Sequence, residues 1–220
     1  MAQRSSMAGR LPAALLSLLL PGLALSCQSS GPAQAPGIGG LLDGPTRWLM
    51  LPEEQRQARQ LTSTRDAALF TETFWDRRDP DPATPANEYA RTFYERVEAA
   101  DKLYSEDGTR GSMTDKGRAF ILLGSPPVLR YSQKQVPAWD PGRPGTRPSV
   151  EARGIAVESW IYQLDQLDPR LAELIRQEDG EETLEVVVTF AVEPHRTYLL
   201  EGEEYLELAI LTARQDAPDH

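Results

Sequence analysis

Thiol and imidazole are nearly missing from this chain of 220 residues: its single cysteine is Cys27, and its two histidines are His195, beside a predicted turn, and His220, the last residue. A zinc site built on paired histidines and a Ser-His-Asp triad therefore lack their usual parts. One thiol cannot form an internal disulfide, so stability has to come from burial. Positive charge is also in deficit. The net charge of −10 argues against nucleic acid, whose binding is driven by basic patches. A phosphate-cradling loop is absent too, because Gly37-Ile38-Gly39-Gly40 lacks the preceding strand and following helix that such a loop requires. Asp76, Asp79 and Asp81 lack the spacing of a known calcium loop, and the prolines between them stiffen the segment. No cofactor and no metal is expected.

What is present begins with a leader. Arg4 and Arg10 precede an apolar stretch, Leu11–Leu25, that is shorter than the roughly 20 residues needed to cross a bilayer and is interrupted by Pro12 and Pro21. Small residues at Ala24 and Ser26 lead into Cys27. This reads as a lipoprotein signal peptide, residues 1–26, cleaved before a lipidated Cys27; ordinary cleavage leaving a free thiol and an uncleaved anchor are the alternatives. Because residues 1–26 hold two arginines and no acid, their removal takes the net charge from −10 to −12. Two acyl chains make anchoring stable where one does not. The expected address is the cell envelope, lipid-anchored to a membrane facing the periplasm or the exterior. Residues 27–45, rich in Gly, Pro and Ser, read as a flexible tether, 46–214 as one domain and 215–220 as a tail.

Within the domain, helical signals come first. Leu51-Pro52-Glu53-Glu54 starts one helix, with Pro in the first turn and acids against the dipole. Ser63 and Asp66 start a second as a capping box. Thr84 and Pro85 start a third, carrying the apolar stripe Tyr89, Phe93, Val97, Ala100 and Tyr104. The proline-bracketed piece Arg77–Pro82 is a stiff corner between the last two. Strand signals follow. The apolar run Arg118–Leu123, ended by Gly124-Ser125-Pro126-Pro127, reads as a strand and turn. Val157–Gln163 alternates, and Leu184–Glu193 places Leu184, Val186, Val188, Phe190 and Val192 on one face, with Pro194-His195 supporting an antiparallel hairpin into Thr197–Leu200. Asp168-Pro169 opens a short helix that closes before Gly180, and residues 203–213 read as helix. Residues 132–156, with four prolines and three glycines between Ser132 and Ala156, read as a long loop. The fold class is α+β: N-terminal helices, then a mainly antiparallel sheet with one face packed on the helices.

An ordered series of blocks resembles the bacterial GWxTD domain family: Phe74-Trp75 with Arg78-Asp79-Pro80, Thr84–Glu88, Phe93–Val97, Gly111-Ser112-Met113-Thr114-Asp115-Lys116-Gly117-Arg118, Leu123–Pro127 and Glu158–Tyr162. Ser112 stands where the family motif has tryptophan. The resemblance implies an envelope protein and supplies no catalytic residue.

The candidate binding or structural motif is Gly111, Thr114, Asp115, Gly117, Arg118, Glu158, Trp160 and Tyr162. In the structural reading Thr114 and Asp115 make a turn and Gly117 gives a permissive backbone before the strand. In the functional reading Thr114, Asp115, Arg118 and Glu158 line a pocket, with Asp115 and Glu158 as an acid and base if burial splits their ionisation. Trp75, Arg78, Asp79, Pro80 and Asn87 are read as architectural: Asp79 caps or braces the corner through Arg78, and Asn87 bonds backbone near the third helix. Two function classes follow. One is an envelope lipoprotein with a non-catalytic protein- or peptide-binding domain, acting through residues 132–156 or an open sheet edge; the other is an envelope hydrolase or transferase using Asp115 and Glu158. An enzyme predicts those carboxylates converging with Arg118 in one pocket. A binding module predicts them engaged in turn and strand hydrogen bonds.

Overall fold

In the computed structural model, side-chain oxygens set where four helices begin: Ser63, Asn87, Thr114 and Asp168 each accept a backbone N–H of the following turn. The structure describes residues 38–140 and 149–214, with side chains for all of them except 38, 39, 138–140 and 149–151. The leader, Cys27 and the tail lie outside the described residues. The helices are α1 (Ile38–Asp43), α2 (Pro52–Arg59), α3 (Thr64–Asp76), α4 (Glu88–Leu103), α5 (Asp115–Leu123), α6 (Pro169–Asp179) and α7 (Glu203–Thr212). The strands β1 (Val128–Asp140), β2 (Ser149–Gln163), β3 (Glu185–Val192) and β4 (Thr197–Glu201) form one antiparallel sheet in sequential order. The α+β architecture expected from the sequence is present.

Alternation decides which face of the sheet meets the helices. Trp160, Tyr162, Val186, Val188 and Phe190 are all at most 2% exposed and join the helical residues Phe93, Ala100, Phe120 and Leu206 in one core. Trp160 sits at its centre, with the rings of Tyr104 and Phe190 centred 5.4 and 4.9 Å away. A second ring cluster, Phe74, Trp75, Phe93 and Tyr94 with centroids 5.0–5.5 Å apart, glues α3 to α4. On the opposite face of the sheet Ile155, Val157 and Ala191 make a smaller buried cluster with Val136, Tyr198 and Leu200. Lys134 of β1 forms an ion pair with Glu201 of β4, although in a flat sheet three strand spacings of about 4.8 Å would separate those strands.

Several sequence expectations are corrected. Arg118–Leu123 is not a strand but most of α5, since Ala119, Phe120, Ile121, Leu122 and Leu123 are all buried. A short run buried on every side carries neither period. Thr84 does not cap α4; Asn87 does, and Thr84 instead donates to the Glu88 carboxylate. Leu184 lies before β3 and is 75% exposed. Residues 38–45, read as the end of a tether, hold α1 with Leu41 fully buried. Of residues 132–156, those the structure describes, 132–140 and 149–156, are strand and not loop: β1 and β2 pair from Val128↔Ile161 out to Asp140↔Ser149. Pro137 lies on β1, an edge strand, the place in a sheet where proline is found. Pairing of β2 with β3 stops at Ala156↔Val192, so the outer half of this hairpin extends past the four-stranded sheet as a two-stranded ribbon.

Candidate functional site

The segment from Gly111 to Arg118 is a joint between α4, the sheet and α7. It opens with a 3-10 turn, Gly111–Met113, seated on the end of α4: Ser112 N–H donates to Asp101 Oδ1 at 2.8 Å, and Gly111 N–H donates to Ser105 Oγ at 3.0 Å. Burial works against ionisation of Asp101, yet its bonds to Ser112 and Arg110 hold the carboxyl below the usual range. Thr114 closes the turn by donating to Gly111 O at 2.8 Å and starts α5 by accepting from Gly117 N–H at 3.1 Å. Gly117 is thus inside the helix, not ahead of a strand. Its requirement is space: a Cβ there would lie 1.7 Å from the Gly111 carbonyl oxygen.

Three side chains of the first turn of α5 then reach three different elements. Asp115 Oδ2 accepts from the Leu199 N–H of β4 at 2.8 Å. Lys116 Nζ donates to Glu158 Oε2 of β2 at 2.8 Å, with both side chains mostly buried. Arg118 pairs with Glu203 of α7 at 2.7 Å. The other oxygen of Glu158 accepts from Trp160 Nε1 at 2.6 Å, while Tyr162 donates its hydroxyl to Gly124 O at 3.1 Å. Burial pushes the Tyr162 hydroxyl far above its ordinary ionisation range, which keeps it a donor.

The pocket expected of an enzyme is not assembled from these residues. Asp115 and Glu158 each serve a separate structural contact, and Arg118 faces Trp48, its guanidinium centred 5.4 Å from that ring. These side chains are engaged in turn, strand and helix contacts of the fold. Lys116, the partner of Glu158, was missed there because nothing local in the sequence marks a contact with a residue 42 positions away.

The corner before α4 holds the two most buried charged side chains among the described residues. Arg78, 0% exposed, donates from Nη1 and Nη2 to Glu54 Oε1 and Oε2 at 3.1 and 2.7 Å, and also to the carbonyls of Phe74 and Leu49 at 2.9 and 2.7 Å. Its guanidinium lies 3.7 Å from the centre of the Phe74 ring. Glu54, 1% exposed, accepts in addition from Leu51 N–H at the start of α2. Asp79 plays no part in this bracing; its Oδ1 accepts from Asp81 N–H at 3.1 Å, forming an Asx turn that leads into the Pro80–Pro82 segment. Asn87 ties the corner to α4, donating to Trp75 O and accepting from Ala90 N–H, both at 2.7 Å.

Besides a smaller concavity at Glu54, Phe74 and Arg77, two larger ones flank this framework. One, of about 320 Å³, lies between α4, α6 and α7 and contains Pro80, Tyr89, Thr92, Arg96 and Asp168. Burial pushes the Tyr89 hydroxyl up to about 12 and lowers the Arg96 guanidinium, whose Nη1 is spent on the Ile121 and Leu122 carbonyls. The other, of about 490 Å³, lies beside Trp48. Neither contains Asp115 or Glu158. Among the described residues no group of His, Cys, Asp and Glu is arranged to hold a metal ion, and no helix is long and apolar enough to cross a membrane.

The sheet has two edges, and they differ. Two N–H groups of β4 are occupied from outside the sheet: Thr197 donates to Glu106 Oε2 at 2.7 Å and Leu199 donates to Asp115. On the other side β1 pairs only with β2, and Val128, Leu129 and Tyr131 are 45, 49 and 69% exposed along it.

A family model described as the GWxTD domain matches residues 41–151. No curated protein and no solved structure matches the chain.

Proposed function

We propose, from the premise that this chain belongs to the GWxTD domain family, that it is a membrane-anchored cell-envelope lipoprotein whose domain takes up a peptide or protein segment by strand addition along β1. The observation that carries the reading is the asymmetry of the sheet. Unsatisfied N–H and C=O groups along an edge are a template for another strand, and folded proteins commonly cover or charge them. Here Asp115 and Glu106 cover β4, whereas β1 presents Leu129 and Tyr131 to solvent over a strand of 13 residues. Backbone bonds would supply affinity and the alternating exposed side chains would supply selectivity.

The anchor rests on Arg4, Arg10, the apolar stretch Leu11–Leu25 and Cys27. Changing Cys27 to Ala should move the protein from the membrane fraction to the soluble fraction, and continued sedimentation with membranes would remove the lipid anchor from the reading. The binding edge is tested by placing a photo-crosslinking amino acid at Tyr131 or, as a control, at exposed Glu207 on α7. Irradiation of intact cells should give a discrete adduct from position 131 only. Equal labelling from both positions, or none from 131, would refute strand addition at β1.

A further inference from the structure

The cleft beside Trp48 concentrates positive charge in a protein whose overall balance is strongly negative. Its lining combines three guanidiniums, from Arg47, Arg59 and Arg118, with a single carboxylate, Asp43. Trp48 forms part of the wall. Its indole is held in place by an Nε1 bond to Ser112 O at 2.8 Å, and the Arg47 guanidinium lies 4.6 Å from the ring centre. This contact with residue 112 places Trp48 directly on the motif position that carries serine in place of tryptophan. Arg118 is fixed from behind by Glu203. Among the described residues Arg47 and Arg59 have no ion pair, so their charges remain uncompensated at the mouth. The rest of the wall is apolar, from Leu42, Met50 and Ile210.

Guanidiniums match the tetrahedral oxygens of a phosphate, monoester or diester, through paired, charge-assisted N–H bonds. A volume of about 490 Å³ exceeds what a bare phosphate fills and falls within the range of small-molecule sites. Trp48 and the aliphatic wall would receive the remainder. We propose that this cleft binds a phosphate ester that carries an apolar or ring substituent, whether as a free molecule or as the headgroup of a phospholipid.

The test uses the full chain, purified in detergent, titrated with phenyl phosphate by calorimetry, and the Arg47→Gln/Arg59→Gln double variant alongside. Both arginines are exposed, so the melting temperature should hold while affinity falls by about 10-fold or more, the loss expected when two charge-assisted bonds are removed. A second arm measures flotation of the full-length Cys27→Ala chain with phosphatidylglycerol and with phosphatidylcholine vesicles, so that lipid anchoring cannot contribute whether or not that reading holds. Arginine-dependent phenyl phosphate binding alone assigns the cleft to free esters. Flotation with phosphatidylglycerol that is competed by phenyl phosphate and lost in the arginine variant assigns it to a lipid headgroup. Either result supports the site. Absence of both, or binding unchanged by the double substitution, would overturn it.

Discussion

Arg78→Ala should lose about 3–5 kcal/mol of stability, read as a lower midpoint in urea unfolding followed by tryptophan fluorescence. The magnitude follows from what the substitution leaves behind: Glu54 stays buried at 1% exposure with only the partly exposed Arg77, 3.8 Å away, as a cation, the Leu49 and Phe74 carbonyls lose their donor, and a cavity opens against the Phe74 ring. For a domain whose total stability is about 5–15 kcal/mol this brings the folded state close to failure. Arg78→Lys should recover little, because one ammonium cannot supply the two-pronged contact with both Glu54 oxygens. Glu54→Leu combined with Arg78→Met should be less damaging than Arg78→Met alone, since an apolar pair leaves no orphaned charge. If the double variant proved worse than the single one, Glu54 would be shown to be held by its remaining contacts, the Leu51 N–H and Arg77, and not orphaned by the loss of Arg78.

The second large effect is expected at Gly117→Ala. Helix propensity favours alanine over glycine by about 1 kcal/mol in a helix interior. Packing opposes it, because the new methyl would lie 1.7 Å from Gly111 O and 2.7 Å from its carbonyl carbon, both backbone atoms of the turn seated on α4. Overpacking typically costs about 1–3 kcal/mol when side chains can yield, and here the opposing atoms are main chain. The clash wins. Thermal unfolding should show a fall of many degrees or a loss of soluble protein. In contrast Gly154→Ala, where the added carbon meets only the Gln135 side chain at 3.4 Å, should leave the melting temperature nearly unchanged. A Gly117→Ala protein as stable as the parent would show that the turn can withdraw from α5 at little cost.

Local chemistry was legible in the sequence where a residue acts on its own neighbourhood. Ser63 with Asp66 and Asp168 with Pro169 mark helix starts by bonds that span three residues or fewer, and the structure has helices there. The alternation of Val186, Val188 and Phe190 announced a strand with one buried face. Failures arose where the deciding contact is remote. Ala119–Leu123 is apolar on all sides because α4, α7 and β4 surround α5, and that environment erases the periodicity on which the helix could have been recognised. The β1–β2 ribbon looked like a loop because its Pro137 and Gly154 are tolerated at an edge and its few apolar positions serve the small second cluster. In the candidate site, Thr114 as a short polar residue bonding nearby backbone was readable, whereas Arg78 meeting Glu54 across 24 positions and Asp115 meeting Leu199 across 84 were not.

A sheet sealed along one margin can accept company only along the other. Two copies meeting through β1 would each have used the one uncovered margin of the four-stranded part of the sheet, and through that margin the assembly would stop at a pair related by a two-fold axis. Open-ended growth into filaments requires a free margin on both sides of every subunit, and the Asp115 and Glu106 carboxylates deny the second. Removing those carboxylates would therefore remove a brake on self-propagation as well as a brace of the fold.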